Sequence, residues 1–383
     1  HNYKTALQNY NQALKRPAHK AQFDRVRRRV GQCLAHLKSY GKARTALAGA
    51  VASATNSREK ARALVEAGVL AMTMPQYYYE KDGVKYWDRW VQGATYHHMG
   101  YDFVKAGVAE LQQARAIYDA GFDQALAGEA GAKAAYAREH LRCHLELASA
   151  TEVVRITFED QVKGDLGPEG YDALKTWSGR MAWAYDRAME VQERLGKPQA
   201  RVMAGYLKAM AFRRLMESYR LAESLDGSIR CLRYSGEAIF VMPDGWNPLK
   251  ILESIWPVAQ KGKLGDQVLW ALATIQRQLK LYVDSVATCE RLMETYPKSV
   301  LRDDARLAVE QMTFPRLRLD VGRAVPVGKE PAATLTTRNV KGVSVRLFRF
   351  PLAEVLGRDG VIDDPEISFQ TAQQLVAALR LPL

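Results

Sequence analysis

Apolar residues recur three or four positions apart along most of the chain, which is the spacing that lines one face of an α-helix. The clearest stretch is 266–299, where Leu269, Leu272, Ala273, Gln276 and Leu279 fall on one side of a first helix. Tyr282 opens a second helix, whose Ser285, Cys289 and Leu292 face back onto the first, and Pro297 stands where a proline can end it. Near the start the same pattern returns. Gly31, Leu34 and Leu37 mark one helix; Tyr40, Ala43, Leu47 and Ala50 mark the next. Residues 3–13 read as a second helix of the same kind, and 57–74 as a further one with Ala61, Leu64, Val65, Gly68 and Ala71 on one face. Gly31 and Ala43 sit where two helices cross closely, so Gly31→Leu is expected to force them apart.

The period then breaks. Pro75, three tyrosines and the Asp82-Gly83 turn signal predict an inserted hairpin or long loop over about 75–95. Its aromatic residues Tyr77, Tyr78, Tyr79, Tyr86, Trp87 and Trp90 are expected to pack the insertion against its scaffold. Helical periodicity resumes over 101–163, as one long helix or a helical pair, then from Tyr171 to Leu195 and from Ala200 to about Leu225. The stretch 228–243 reads as a shorter helix ending at Pro243. At Phe314 the period changes to two: 315–321 and 343–350 alternate apolar and polar residues between turn signals and predict strands, with a short helix at the end of the chain.

Two resemblances follow from these residues. The 266–299 unit resembles the tetratricopeptide repeat, a helical hairpin of about 34 residues that must stack on neighbours to bury its apolar face. The fold class expected is therefore mainly α, a helical solenoid over 1–313, followed by a small β module at 314–383 that is too short for a sandwich of about 100 residues. The β segment resembles the first macroglobulin-type domain of large bacterial alpha-2-macroglobulin-like proteins. The matching residues are the T-R-N-V turn at Thr337 to Val340, the strand Val343 to Phe350 and Leu352 to Leu356. That resemblance implies a periplasmic or secreted, protease-trapping parent for which this piece is a helical adaptor. The C-x-E-Q thioester found in many relatives does not occur in the chain.

Composition and charge alter this picture little. Of 383 residues, 48% are hydrophobic and 25% charged, as in ordinary folded proteins, and no apolar run reaches membrane-spanning length. The four cysteines are widely separated and read as small apolar helix residues rather than a disulfide or zinc framework. The net charge of +13 is concentrated in residues 1–50, with eleven Lys or Arg against one acid, Asp24. This is a solvated face or a surface for an acidic peptide, an anionic headgroup or nucleic acid. Specific nucleic-acid reading is not expected, because the arginines of 25–29 are spread around their helix.

No nucleotide-binding loop, serine elbow or catalytic carboxylate constellation occurs, so neither an enzyme nor a cofactor is expected. His140 and His144 share one helix face, but the sequence supplies no recognisable third ligand, and surface or interhelical hydrogen bonding is the expectation. The candidate site is instead a peptide groove along the first helices of the repeats, using Arg25, Arg28, Gln32 and His36 in one unit and Trp270, Thr274 and Arg277 in another. Arg28 and Gln32 resemble half of the carboxylate clamp of chaperone-binding repeats. The partner expected is thus a protein or peptide, acidic in character. The competing expectation is a free-standing cytoplasmic scaffold or co-chaperone.

Overall fold

A computed structural model describes residues 2–16, 22–75, 77–87, 90–98, 102–158, 176–217, 220–222, 228–232, 239–321, 333–340 and 342–343. Among them the chain is mostly helical. It divides into two compact units, His1–Val309 and Glu310–Leu383.

In the first unit, α1 (Tyr3–Ala13), α2 (Phe23–His36), α3 (Tyr40–Ser53) and α4 (Ser57–Thr73) precede a three-stranded sheet, β1 (Tyr77–Lys81), β2 (Val84–Trp87) and β3 (Thr95–His98). Helices α5 (Asp102–Ala120), α6 (Phe122–Ala127), α7 (Ala130–Phe158), α8 (Trp177–Arg194) and α9 (Pro198–Glu217) follow. Three short strands, β4 (Arg220–Ala222), β5 (Arg230–Leu232) and β6 (Ile239–Val241), lead into α10 (Pro248–Ala259), α11 (Gly265–Gln278), α12 (Tyr282–Thr295) and α13 (Arg302–Thr313), whose residues from Glu310 on count with the second unit. Helices pack in sequential hairpins, α2 with α3, α4 with α5, α7 with α8, α9 with α10 and α11 with α12. The first helices of these hairpins also meet one another, α2 on α4, α4 on α7, α7 on α9 and α9 on α11. This stacked arrangement is a helical repeat array.

Small residues at the crossings explain the close packing. A Cβ at Gly31 would lie 2.5 Å from Leu47 Cγ of α3, and one at Gly205 would lie 2.7 Å from Ile255 of α10. In the α11/α12 hairpin Ala273 takes the corresponding place, and the buried Ser285 hydroxyl donates to its carbonyl at 2.7 Å. The hairpin turns repeat as well. Lys38, Lys280 and Gly196 all have positive φ (56°, 62° and 66°), and the next residue's N–H closes back on the preceding helix: Ser39 to Leu34, Leu281 to Gln276 and Lys197 to Gln192. These are Schellman-type endings, in which the left-handed residue frees the chain to reverse.

Local signals account for the helix starts. Asn56 caps α4 by accepting from the Arg58 and Glu59 N–H groups, Thr176 caps α8, and Asn247 caps α10 with Pro248 behind it. The insertion is a sheet of order β2-β1-β3, antiparallel throughout and running to His98. It is anchored as the aromatic cluster suggested: Trp87 packs on Tyr78, Tyr40 and Phe103 against the α3/α4 core, whereas Trp90 is 67% exposed. Two expectations are corrected here. Residues 220–222, 230–232 and 239–241 form the antiparallel sheet β4-β5-β6 rather than helix, which also moves Cys231 onto a strand. The insertion also runs past its expected end near residue 95, with His97 and His98 on strand β3.

In the second unit, β7 (Arg316–Val321) pairs antiparallel with β8 (Ala333–Arg338), and Leu319 lies opposite Leu335. Leu317, Leu319 and Leu335 are exposed, and the period-two alternation puts Arg316, Arg318 and Asp320 on the other face. Asn339, at positive φ, ends β8 and its side-chain amide donates to the Met312 carbonyl. The expected strand over 343–350, the segment 352–356 and the final helix lie outside the described residues, apart from Val343.

Candidate functional site

The first helices of three successive hairpins, α2, α4 and α7, enclose a groove of about 580 Å3. Helix α2 contributes Arg25, Arg28 and Arg29, α4 contributes Glu59, Arg62 and Glu66, and α7 contributes Arg138, Glu139 and Arg142. Each of the three helices buries small or apolar residues against its hairpin partner, and its longest charged side chains remain for the groove.

Part of this charge is consumed internally. Arg28 lies 3.4 Å from Glu59 and 3.9 Å from Glu66, and Glu66 also holds Arg142 at 2.7 Å. Glu139 takes both arms of Arg58, at 2.7 and 2.9 Å, and Arg62 bridges Glu59 and Glu139. Burial alone would raise the Glu66 and Glu139 carboxyls. Hydrogen bonds from Arg142 to the first, and from Arg58 and Arg62 to the second, leave both below the ordinary carboxylate range. The floor of the groove is therefore a fixed ion-pair lattice.

Three arginines stand outside it. Arg25, Arg29 and Arg138 line the same groove, and among the described residues none has a carboxylate within ion-pair distance. Arg25 and Arg138 are exposed, and Arg29 donates only to Gln32, at 2.8 Å. With the glutamates already engaged, these guanidiniums give the groove an uncompensated positive charge.

The structure redistributes the sequence candidates. Arg25 and Arg28 reach this groove, but Arg28 is only 8% exposed and belongs to the lattice, where burial lowers the pKa of its guanidinium against the opposing pull of Glu59 and Glu66. Gln32 accepts from Arg29, so the clamp-like pairing of Arg28 with Gln32 is already occupied within the protein. His36 is exposed and stacks on Tyr3, with ring centroids 4.2 Å apart. Trp270, Thr274 and Arg277 lie on α11, half-buried and not among the groove's lining residues; the Thr274 hydroxyl donates to the Trp270 carbonyl. The residues that matter and were missed, Arg29, Arg138, Glu59 and Glu66, come from three helices. No local motif joins them, although α2's run of basic residues pointed to one wall.

The His140/His144 pair also changes character. Both side chains are fully buried, and Asp119 of α5 stands against them, with its Oδ1 3.5 Å from His140 Nε2 and 3.7 Å from His144 Nε2. A surface position for this pair is thereby corrected, and a third potential ligand is present.

No family model and no curated protein matches the chain. Among solved structures it is similar to the apo form of RapI, with 11% identity over 74% of each chain and a TM-score of 0.41, a likeness too loose to fix a shared fold.

Proposed function

We propose that this chain is a non-catalytic protein-interaction region that receives an acidic segment of a partner protein in the α2/α4/α7 groove. The observation that carries this reading is the trio Arg25, Arg29 and Arg138, left without carboxylates around a lattice whose own charges are paired. Guanidinium groups recognise carboxylates by two parallel hydrogen bonds, and a groove formed by successive repeats suits an extended peptide. The groove's groups favour binding: its arginines stay charged at any physiological pH, and Glu66 and Glu139, held below the ordinary carboxylate range by those arginines, are engaged as their partners.

The wider setting we infer is the helical adaptor region of a large alpha-2-macroglobulin-like envelope protein, periplasmic or secreted. Support comes from the T-R-N-V turn at 337–340 closing strand β8, and from the exposed leucines of the β7–β8 hairpin, an apolar face suited to further β structure. The co-chaperone alternative loses its best feature, since Arg28 and Gln32 are engaged internally.

A fluorescent acidic peptide titrated against the whole chain tests the groove. Arg25→Glu/Arg138→Glu, both exposed positions, is expected to weaken binding at least tenfold, and added salt to weaken the wild-type complex. Equal affinity for the variant and the wild type refutes the groove. Reading the coding region past Leu383 tests the setting: further short-stranded β domains are expected, and an immediate stop codon leaves a free-standing scaffold.

A further inference from the structure

We propose that Asp119, His140 and His144 form a binding site for a divalent transition-metal ion of the zinc class, tying the α4/α5 hairpin to the α7/α8 hairpin. The i, i+4 spacing puts both imidazoles on one face of α7, where they stack with ring centroids 3.9 Å apart and are completely buried. Both Nε2 atoms approach one oxygen of Asp119, His140 at the outer limit of a hydrogen bond and His144 beyond it, so among the described residues neither Nε2 makes a hydrogen bond of ordinary length. Buried polar atoms left in this state are costly, and a shared ligand would satisfy them together.

The distances fit an ion better than a hydrogen bond. Two ligand atoms each about 2.05 Å from a tetrahedral ion stand about 3.3 Å apart. The observed separations of 3.5 and 3.7 Å come within a few tenths of that, and all three ligand atoms lie within 4.8 Å of one another. The chemistry is also prepared. His144 Nδ1 lies 3.1 Å from the His140 carbonyl, so Nδ1–H donates and the Nε2 lone pair is left for a metal. Two imidazoles and one carboxylate leave a position for water, and this donor set suits zinc and its neighbours.

One resident competes with the ion. Arg187 of α8 places Nε 3.2 Å from Asp119 Oδ1, and Arg115 stands 3.6 Å from Oδ2. Arg187 also holds Glu190 at 2.9 Å and so retains a carboxylate when a metal takes Asp119. The two guanidiniums weaken the site by charge repulsion, which makes Arg187 the residue that sets its affinity.

The whole chain, stripped with a chelator and titrated with Co2+, should bind one equivalent with the visible bands of a four-coordinate ion, displaced by Zn2+. Asp119→Asn and His140→Gln should each weaken binding at least tenfold, and Arg187→Gln should tighten it several-fold while the helical circular dichroism is unchanged. His97→Ala/His98→Ala, the other histidine pair, should change nothing. Absence of binding at millimolar Co2+ in both the wild type and Arg187→Gln overturns the proposal. So does full affinity in Asp119→Asn/His140→Gln, which would place the ion elsewhere.

Discussion

Helices α4 and α5 cross at two facing glycines, and the same substitution there and on a free helix surface should have opposite signs. A Cβ added at Gly68 would meet Leu111 Cγ at 2.6 Å and the Gly107 carbonyl oxygen at 2.9 Å, and one added at Gly107 would meet the Gly68 carbonyl at 3.0 Å. Leu111 can turn; a backbone carbonyl cannot. Gly68→Ala must therefore push α4 and α5 apart by roughly half an ångström or more, loosening the contacts of Leu64, Val108 and Leu111 around the crossing. Overpacking of this kind costs about 1–3 kcal/mol, against about 1 kcal/mol gained from the better helix propensity of alanine. The net expectation is a loss of about 1 kcal/mol, within a range of roughly 0–2 kcal/mol. Gly49, exposed within α3 and with nothing within 4 Å of its would-be Cβ, receives only the gain, so Gly49→Ala should stabilise by about 0.5–1 kcal/mol. Hydrogen exchange resolved by peptide is the assay, because opening can be read for α4 and α5 separately from the rest of the array. Gly68→Ala should speed exchange there roughly fivefold, and Gly49→Ala should slow it in α3. If Gly68→Ala matches Gly49→Ala in sign, the close crossing does not limit the packing of this hairpin.

Further consequences can be checked by equilibrium unfolding. Lys38→Gly and Lys280→Gly should each stabilise by about 0.5–1 kcal/mol, since a non-glycine residue there holds a left-handed backbone, while Gly196→Ala at the third such turn should destabilise by a similar amount. Lys208 is 3% exposed and its pKa is lowered by burial in spite of Asp186, which is itself 56% exposed, so Lys208→Met should lose no stability, and an unfolding midpoint well below wild type would contradict this. Glu139→Gln should cost about 1–2 kcal/mol at pH 7. Because its folded carboxyl lies below the unfolded value of 4.5, that contribution is complete above pH 4.5 and fades as pH falls through the folded pKa, so the variant and wild type should converge in acid.

The parts legible in sequence were those governed by local rules. Gly31 with Ala43, and Ala273 with Ser285, marked two hairpins because close crossings demand small residues, and Pro75 marked the edge of an insertion because proline cannot continue a helix. The sheet β4-β5-β6 escaped because its strands have three residues each, too few for a period of two to be distinguished from a period of 3.6. Arg28 looked solvated for a different reason. Its burial is decided by Glu59 and Glu66, which lie on another helix at a spacing no motif records. Asp119 was invisible as a partner of His140 for the same reason: α5 and α7 are brought together by packing, with α6 between them in the chain.

The basic N-terminal segment shows why charge totals cannot assign a binding surface without the packing. Of its arginines, Arg28 is spent on α4, Arg44 pairs with Glu110 of α5 at 3.3 Å, and Arg27 faces Asp24 on its own helix at 4.0 Å. Arg28 and Arg44 join repeats to one another, and reversing them should loosen the array, while Arg27 pairs only within its own helix. Arg25 and Arg29 have no such duty, and Arg138 of α7 joins them in one groove although it lies outside the basic segment. A partner drawn to the whole segment by long-range charge would respond equally to Lys4→Glu and Arg25→Glu, whereas one held in the groove by paired hydrogen bonds would respond to Arg25, Arg29 and Arg138 and ignore Lys4. Peptide affinity measured across that set at two salt concentrations separates steering from recognition, and a uniform response would assign the positive charge to attraction alone.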